Sequence, residues 1–239
     1  MRQHRKMLGI ITARGRSKGL PQKNILDLCG KPVIAYSIEA ALGNKYLDRV
    51  IVSTDDEEIA SISRKYGAEV PFMRPLELAT DTVPHLPVLR HAIEFMKNEE
   101  GYHADAIVLL QPTSPMRRAE DIDGAVELFI KRSADSVISV VETIYVVEES
   151  PEGTLQPLLK SQVGHFHRNY PNRLYDFNGA VYVIRRREII ERNRMLGERT
   201  YPYVMDRKRS LEIDDENDLN LVALMLKAGG AVSDPVNRR

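Results

Sequence analysis

Short, dominantly apolar runs alternate along the chain with longer segments whose apolar residues recur three and four apart. The runs are "LGIITA" (8–13), "RVIVST" (49–54), "AEVPF" (68–72), "AIVLLQ" (106–111) and "SVISVV" (136–141). Apolar positions in succession, without polar alternation, predict strands buried on both faces. The longer segments are 31–42 (Val33, Ile34, Ile38, Ala41, Leu42), 56–66 (Ile59, Ile62, Tyr66), 83–97 (Val88, Leu89, Ala92, Ile93, Met96) and 120–131 (Ile122, Ala125, Val126, Phe129). Their spacing predicts amphipathic helices. Strand and helix in repeated alternation imply right-handed crossovers and an α/β fold, with a mostly parallel sheet covered by helices on both faces.

The rhythm breaks after residue 141. Residues 142–177 alternate irregularly, carry Pro151, Pro157 and Pro171, and show no helical period. They predict a β-rich excursion, a lid or an arm toward a partner. Strand patterns return in "GAVYVI" (179–184), "YPYVM" (201–205) and "SLEI" (210–213). A last helix is expected over 215–228, with Asp215 at its N-cap, Asp218 in its first turn and "GG" (229–230) closing it. With no internal repeat and no low-complexity linker, residues 1–239 are expected to form one domain that includes the arm.

Composition narrows the partners. The 34 basic and 34 acidic side chains cancel, which argues against a generic nucleic-acid or membrane-surface binder. Cys29 is the sole cysteine, so no intrachain disulfide can form and a reducing cytoplasm is the default. The apolar run behind the basic start is too short for a signal peptide, and no segment reaches the ~20 apolar residues of a membrane span. A soluble, cytoplasmic protein is expected.

Against that neutral background, "ARGRSKGLPQKN" (13–24) places Arg14, Arg16, Lys18 and Lys23 behind the first strand, with two glycines and a proline. In an open parallel sheet, ligands gather outside the carboxyl ends of the strands. The stretch is no P-loop, because Gly19 is followed by Leu20 and Lys18 precedes it. Nor is it a dinucleotide fingerprint, because Pro21 and Lys23 prolong the loop. It offers freed backbone amides and cations spaced for a small polyphosphate; the plainer alternative is a solvated basic turn.

The same stretch, followed by "GKPVIAYSIEAAL", "VIVSTDDEEIA", "YGAEVPFMRPLELATDT", "LLQPTSPMR" and "FNGAVYVI", resembles the bacterial acylneuraminate cytidylyltransferases, from about residue 8 to residue 226. Relatives that activate 3-deoxy-manno-octulosonate, legionaminate and pseudaminate share some of these blocks. The resemblance implies a Rossmann-like nucleotide-diphospho-sugar transferase fold with a β-rich dimerisation arm. It also implies the reaction CTP + nonulosonic acid → CMP-sugar + pyrophosphate, with Mg²⁺. Arg14, Ser17, Lys18 and Lys23 match its triphosphate-holding loop, and Asn24 matches a nucleotide contact. Arg74 and Thr80 fall in its cytosine-reading segment, although Thr80, Thr82 or Asp81 could instead cap the next helix. Gln111, Arg168, Asn178 and Tyr182 match sugar-side positions. The arm implies a homodimer, with Arg168 acting in trans.

Three departures from the family pattern bear on chemistry. In "SLEIDDENDL" (210–219) Glu212 stands where the family has aspartate; Glu212 and Asp214, sharing a face if the segment is a strand, are the expected Mg²⁺ ligands, Asp214 the firmer one. Asp176 occupies the family's second arginine position, and Arg173 is a substitute three residues earlier. Met195 and Leu196 stand where sialate enzymes place aromatic residues around the N-acyl group, which keeps legionaminate, pseudaminate and other 2-keto-3-deoxy acids open as substrates. A nucleotidyltransferase for an aldose 1-phosphate and a non-catalytic nucleotide-binding assembly protein are the alternatives. A dinucleotide-dependent dehydrogenase is disfavoured by the loop, and no catalytic triad or histidine metal site is evident.

Overall fold

The computed structural model describes residues 5–17, 19–143, 147–149, 151, 154–157 and 173–229. Its strands are β1 (Met7–Thr12), the two-residue strands β2 (Asp27–Leu28) and β3 (Lys31–Pro32), β4 (Arg49–Ser53), β5 (Ala106–Leu110), β6 (Ser136–Thr143), β7 (Val147–Glu149), β8 (Leu155–Pro157), β9 (Leu174–Arg185) and β10 (Thr200–Val204). The helices are α1 (Val33–Leu42), α2 (Glu57–Lys65), α3 (His85–Asn98), α4 (Ala119–Arg132), α5 (Arg186–Ile190) and α6 (Glu216–Gly229). Six strands form one mixed sheet in the order β10-β6-β9-β5-β1-β4. β1 is parallel to β4 and β5, and β10 to β6, while β9 runs antiparallel between β5 and β6. This is the Rossmann-like, mostly parallel arrangement expected.

The apolar runs feed two cores at once. Met7, Ile11, Val52, Val108 and Leu110 pack under α1, α2 and α4, through Ile34, Ile38, Ile59, Val126 and Phe129. Leu8, Ile10, Ile51, Ile107 and Leu109 pack on the other face under α3 and α5, through Leu89, Ile93, Met96 and Ile189. Consecutive residues point to opposite faces, so a strand covered on both must be apolar throughout. Each buried Leu or Ile contributes about 1.5–3 kcal/mol. A third cluster, Leu28, Val33, Ile213 and Val222, seats α6 against the start of α1.

Two expected strands are absent. Residues 68–72 follow the edge of β4 only through the single bridges Ile51↔Glu69 and Thr54↔Met73; Pro71 lacks the donor that a continuous ladder needs. Residues 210–213 lie outside any strand, behind a 3₁₀ turn at Arg207–Arg209. Their alternation nevertheless survives, since Ile213 and Leu211 pack inward. The last helix begins as expected: Asp215 Oδ1 accepts from the amides of Asn217 and Asp218 at 2.8 and 3.0 Å, and Asp218 Oδ2 accepts from those of Asp214 and Asp215.

In the expected arm, β6 and β9 pair from Val140↔Phe177 to Thr143↔Leu174, and β7 pairs antiparallel with β8. Several apolar positions assigned to it (Ile144, Val146, Leu158, Leu159) lie outside the described residues. Between Ile138↔Tyr182 and Val140↔Phe177 the register of β6 and β9 shifts, with Asn178 to Val181 in the bulge. Gly179, at φ +67°, sits in it. From β1 the chain steps outward to β4 and then returns to β5 on β1's other side. The carboxyl ends of β1 and β5 therefore flank the switch point, where a ligand crevice opens.

Candidate functional site

The loop after β1 is shaped by contacts at both ends. Buried Asn24 donates from Nδ2 to Arg14 O at 2.9 Å, and the Gly15 amide donates to Asp55 Oδ1 at 3.0 Å. A Cβ on Gly15 would stand 2.8 Å from that of Asp56, whose carboxylate caps α2 by accepting from the Glu58 and Ile59 amides. A Cβ on Gly19 would stand 2.8 Å from the carbonyl oxygen of Asp214. Both glycines are thus places of close approach. Two cations are held across the crevice. Arg14 pairs with Asp81 at 2.9 Å and donates to Thr80 O at 3.2 Å. Lys23 Nζ donates to Asp214 Oδ1 at 3.0 Å and to Ile213 O at 3.1 Å. Ser17 is half-buried and Arg16 exposed; Lys18 lies outside the described residues.

Arg74 lies beneath this loop. It is 6% exposed, donates to Ser53 O at 2.6 Å and Leu78 O at 3.4 Å, and is pulled down to about 10 by burial. Its guanidinium thus fixes the 74–82 segment to the end of β4. Thr80 is exposed, its carbonyl taken by Arg14 and its hydroxyl 3.4 Å from that of Thr82. Thr80, Asp81 and Thr82 do not cap the next helix: α3 starts at His85 with Pro84 at its N-cap and no side-chain cap bond. His85 faces Arg74 and Arg14, and burial with those two cations lowers its pKa.

Across the switch point, the loop after β5 meets the β9 bulge. Gln111 is half-buried with its side chain beside Tyr182, whose phenol is pushed up by burial and then by Glu212. Ser114 Oγ donates to Asn178 O at 3.2 Å. Asn178 is 3% exposed and engaged at both ends, accepting from Ser139 Oγ at 2.6 Å and donating to Ser210 Oγ at 2.8 Å. Its side chain organises the bulge.

The carboxylates sit between the two halves. Glu212 Oε1 accepts from Thr113 Oγ1 at 2.9 Å, and a Cβ on Gly179 would lie 3.1 Å from the same oxygen. Burial, with a further push from Asp214, raises its pKa; the Thr113 bond and Lys23 oppose the rise. The Asp214 side chain is 73% exposed. Among the described residues, no three His, Cys, Asp or Glu side chains converge as a metal cage.

The remaining candidates scatter. Met195 packs on the apolar cluster that contains Tyr182, and its carbonyl accepts from Ser136 Oγ at 2.7 Å; Leu196 is 45% exposed. The same segment is tied by buried Glu188, which accepts from Arg194 Nε at 2.8 Å, and by Asp135, which pairs with Arg187 at 2.8 Å and Arg199 at 3.2 Å. Arg173 is exposed just before β9, and Arg168 lies outside the described residues. Sequence reasoning passed over Asp55, Thr113, Ser114 and Arg117. Their signal was position: Asp55 follows the carboxyl end of β4, and the other three lie in the loop after the carboxyl end of β5.

A family model described as "Cytidylyltransferase" matches residues 8–212. The chain belongs to the cytidylyltransferase family. It is 35% identical over 224 residues to the N-acylneuraminate cytidylyltransferase of Escherichia coli O18:K1:H7, covering 90% of this chain and 51% of that protein. It is 34% identical over 228 residues to the CMP-N,N'-diacetyllegionaminic acid synthase of Legionella pneumophila, covering 93% and 97%. Its fold matches a CMP:2-keto-3-deoxy-manno-octonic acid synthetase solved with CTP, at TM-score 0.69 and 19% identity over 93% of this chain and 99% of that one. No described helix of this cytidylyltransferase-family chain is long and apolar enough to cross a membrane.

Proposed function

We propose that this chain transfers the cytidylyl group of CTP to the anomeric hydroxyl of a nonulosonic acid, releasing pyrophosphate. The observation that carries the reading is the Lys23–Asp214 pair over the switch point, with Arg14 held by Asp81 and Thr80 on one side and Glu212 held by Thr113 on the other. The hydroxyl attacks the α-phosphorus as the bond to the β-phosphate oxygen breaks; the hydroxyl proton leaves to solvent. Arg14, Ser17, Lys18 and Lys23 hold the triphosphate, and their charge stabilises the departing pyrophosphate. Asn24 and Arg74 keep the loops in shape around it, and the exposed 80–82 segment with Thr80 reads the cytosine edge. Gln111, Tyr182, Asn178 and Met195 face or frame the acceptor, with Leu196, Arg168 and Arg173 at its margin.

Asp214 and Glu212 fit Mg²⁺ as hard oxygen donors, in the mode where one or two carboxylates and the substrate phosphates share the ion. Mg²⁺ would supply charge neutralisation at the reacting phosphate. We further propose a homodimer joined through residues 142–177, acting in the cytoplasm on two small-molecule substrates, without nucleic acid. Sialate, legionaminate and pseudaminate are the acceptor candidates. Incubating the protein with CTP, Mg²⁺ and a panel of 2-keto-3-deoxy acids, scored by product mass, tests the reading: a CMP-sugar from one acid sustains it. CTP binding without any product would favour a nucleotide-binding assembly protein.

A further inference from the structure

β5 and β9 pair antiparallel as far as Leu109↔Tyr182. Two residues farther along, that register would set Gln111 opposite Ala180, but there the ladder has ended and β9 enters its bulge. The two carbonyls are joined by a side chain instead. Arg117 NH1 donates to Ala180 O at 2.8 Å and to Gln111 O at 3.2 Å. Its other terminal nitrogen donates to Ser37 Oγ of α1, and that hydroxyl donates to Gln111 O at 3.3 Å. The guanidinium bridges the strands where they splay.

Arg117 is 3% exposed, and its Nε has no partner among the described residues. Burial pulls it down to about 10, with Asp121 opposing. A buried charge is costly unless hydrogen bonds offset it. Mere filling of this space therefore does not account for an arginine. What the fork supplies is a fixed distance between two carbonyls. On one side of the gap stand Gln111, whose carbonyl the fork holds, and Thr113, which holds Glu212. On the other stands the turn Asn178–Gly179–Ala180, bound by Ser114 and pressed against Glu212.

We propose that Arg117 is a positioning residue for the reaction: it sets the width of the gap between β5 and the β9 bulge, and so the placement of Gln111 and Asn178 toward the acceptor sugar. The proposal rests on the cytidylyl-transfer reading above.

The test compares Arg117→Met and Arg117→Lys with wild type by thermal melting, by kcat and KM for acceptor and CTP separately, and by amide hydrogen exchange at 111–116 and 178–182. Arg117→Met should still fold, with a lowered melting temperature because Ala180 O loses its donor. Its kcat/KM for the acceptor should fall about 100-fold, as for a small misplacement of reacting groups, with KM for CTP little changed. Exchange should accelerate in those two segments alone. Arg117→Lys, whose ammonium reaches one carbonyl, should recover part of the loss. Wild-type acceptor kinetics in folded Arg117→Met, or an equal loss toward both substrates with no recovery in Arg117→Lys, overturns the proposal. Should Arg117→Met not fold, the acceptor-against-CTP split of Arg117→Lys decides in its place. Should wild type transfer no cytidylyl group, the functional reading falls, and exchange alone decides the role of Arg117: acceleration confined to the two segments sustains the bridge, and unchanged exchange overturns it.

Discussion

Lys23 and Asp214 neutralise each other. The proposed function gives each a second task, since a bound triphosphate would compete for the ammonium and a bound cation for the carboxylate. Asp214→Asn should therefore bind metal-free CTP more tightly than wild type while losing the gain that Mg²⁺ gives; calorimetry with and without the metal reads both. If the same substitution weakens metal-free binding, the pair does not exchange partners. Arg14→Ala and Lys23→Ala should each cost CTP binding about 1.5–3 kcal/mol, the worth of one hydrogen bond to a charged group, with the fold intact. Wild-type CTP affinity in both variants would remove the triphosphate assignment. Glu212 carries a pH signature. Its carboxyl gives up its proton later in the folded chain than in the unfolded one, so metal-free stability falls as pH rises from the ordinary glutamate range through the raised folded value. Glu212→Gln should flatten that slope in melts between about pH 4 and 8, whereas Glu212→Asp should remain active.

At the scale of elements, the segment from α5 to β10 is tied by two buried carboxylates, Asp135 and Glu188, as well as by apolar contact. The Arg199 guanidinium, together with Arg187, holds Asp135 well below the usual carboxylate range. That contribution is complete above the ordinary aspartate range and is lost as pH falls below it. Asp135→Ala leaves arginines without their anion and should lower stability by about 2–4 kcal/mol, the half-exposed partners softening the full cost of a broken buried pair; denaturant melts measure it. The sequence announced little of this. Strands β1, β4, β5 and β6 were legible because burial on both faces forces apolar residues in succession, and α1 to α4 because burial on one face leaves a helical stripe. "AEVPF" misled because Pro71 removes a donor without changing the hydropathy. "SLEI" misled because alternation can be imposed by one hydrogen bond, Ile213 N to Thr113 O at 2.8 Å, without a neighbouring strand. The cations of the first loop were legible as a cluster against a neutral chain. Arg74 was singled out only through the resemblance; its burial, and Arg117 altogether, were not legible, because a buried arginine and a surface arginine look alike until tertiary contacts distinguish them.

At the scale of the molecule, the arm is the part whose purpose a lone chain does not explain. If Arg168 acts across a two-fold axis, mixing an Arg168→Ala protomer with a Lys23→Ala protomer should regenerate one working site per heterodimer. A fully active monomer, or verified heterodimers without activity, would make the arm a lid. The Lys23–Asp214 contact also has a meaning in time. Its partners are 191 residues apart in sequence, and the backbone of Asp214 is the surface on which Gly19 rests. A growing chain has produced every strand of the sheet by Val204 while its first loop still lacks the seat that shapes it. Nucleotide binding should therefore be acquired after the sheet during synthesis. A version ending at Arg209 should keep much of its sheet signal in circular dichroism and bind no CTP, and adding residues 210–229 in trans as a peptide is the direct way to ask whether the seat alone was missing.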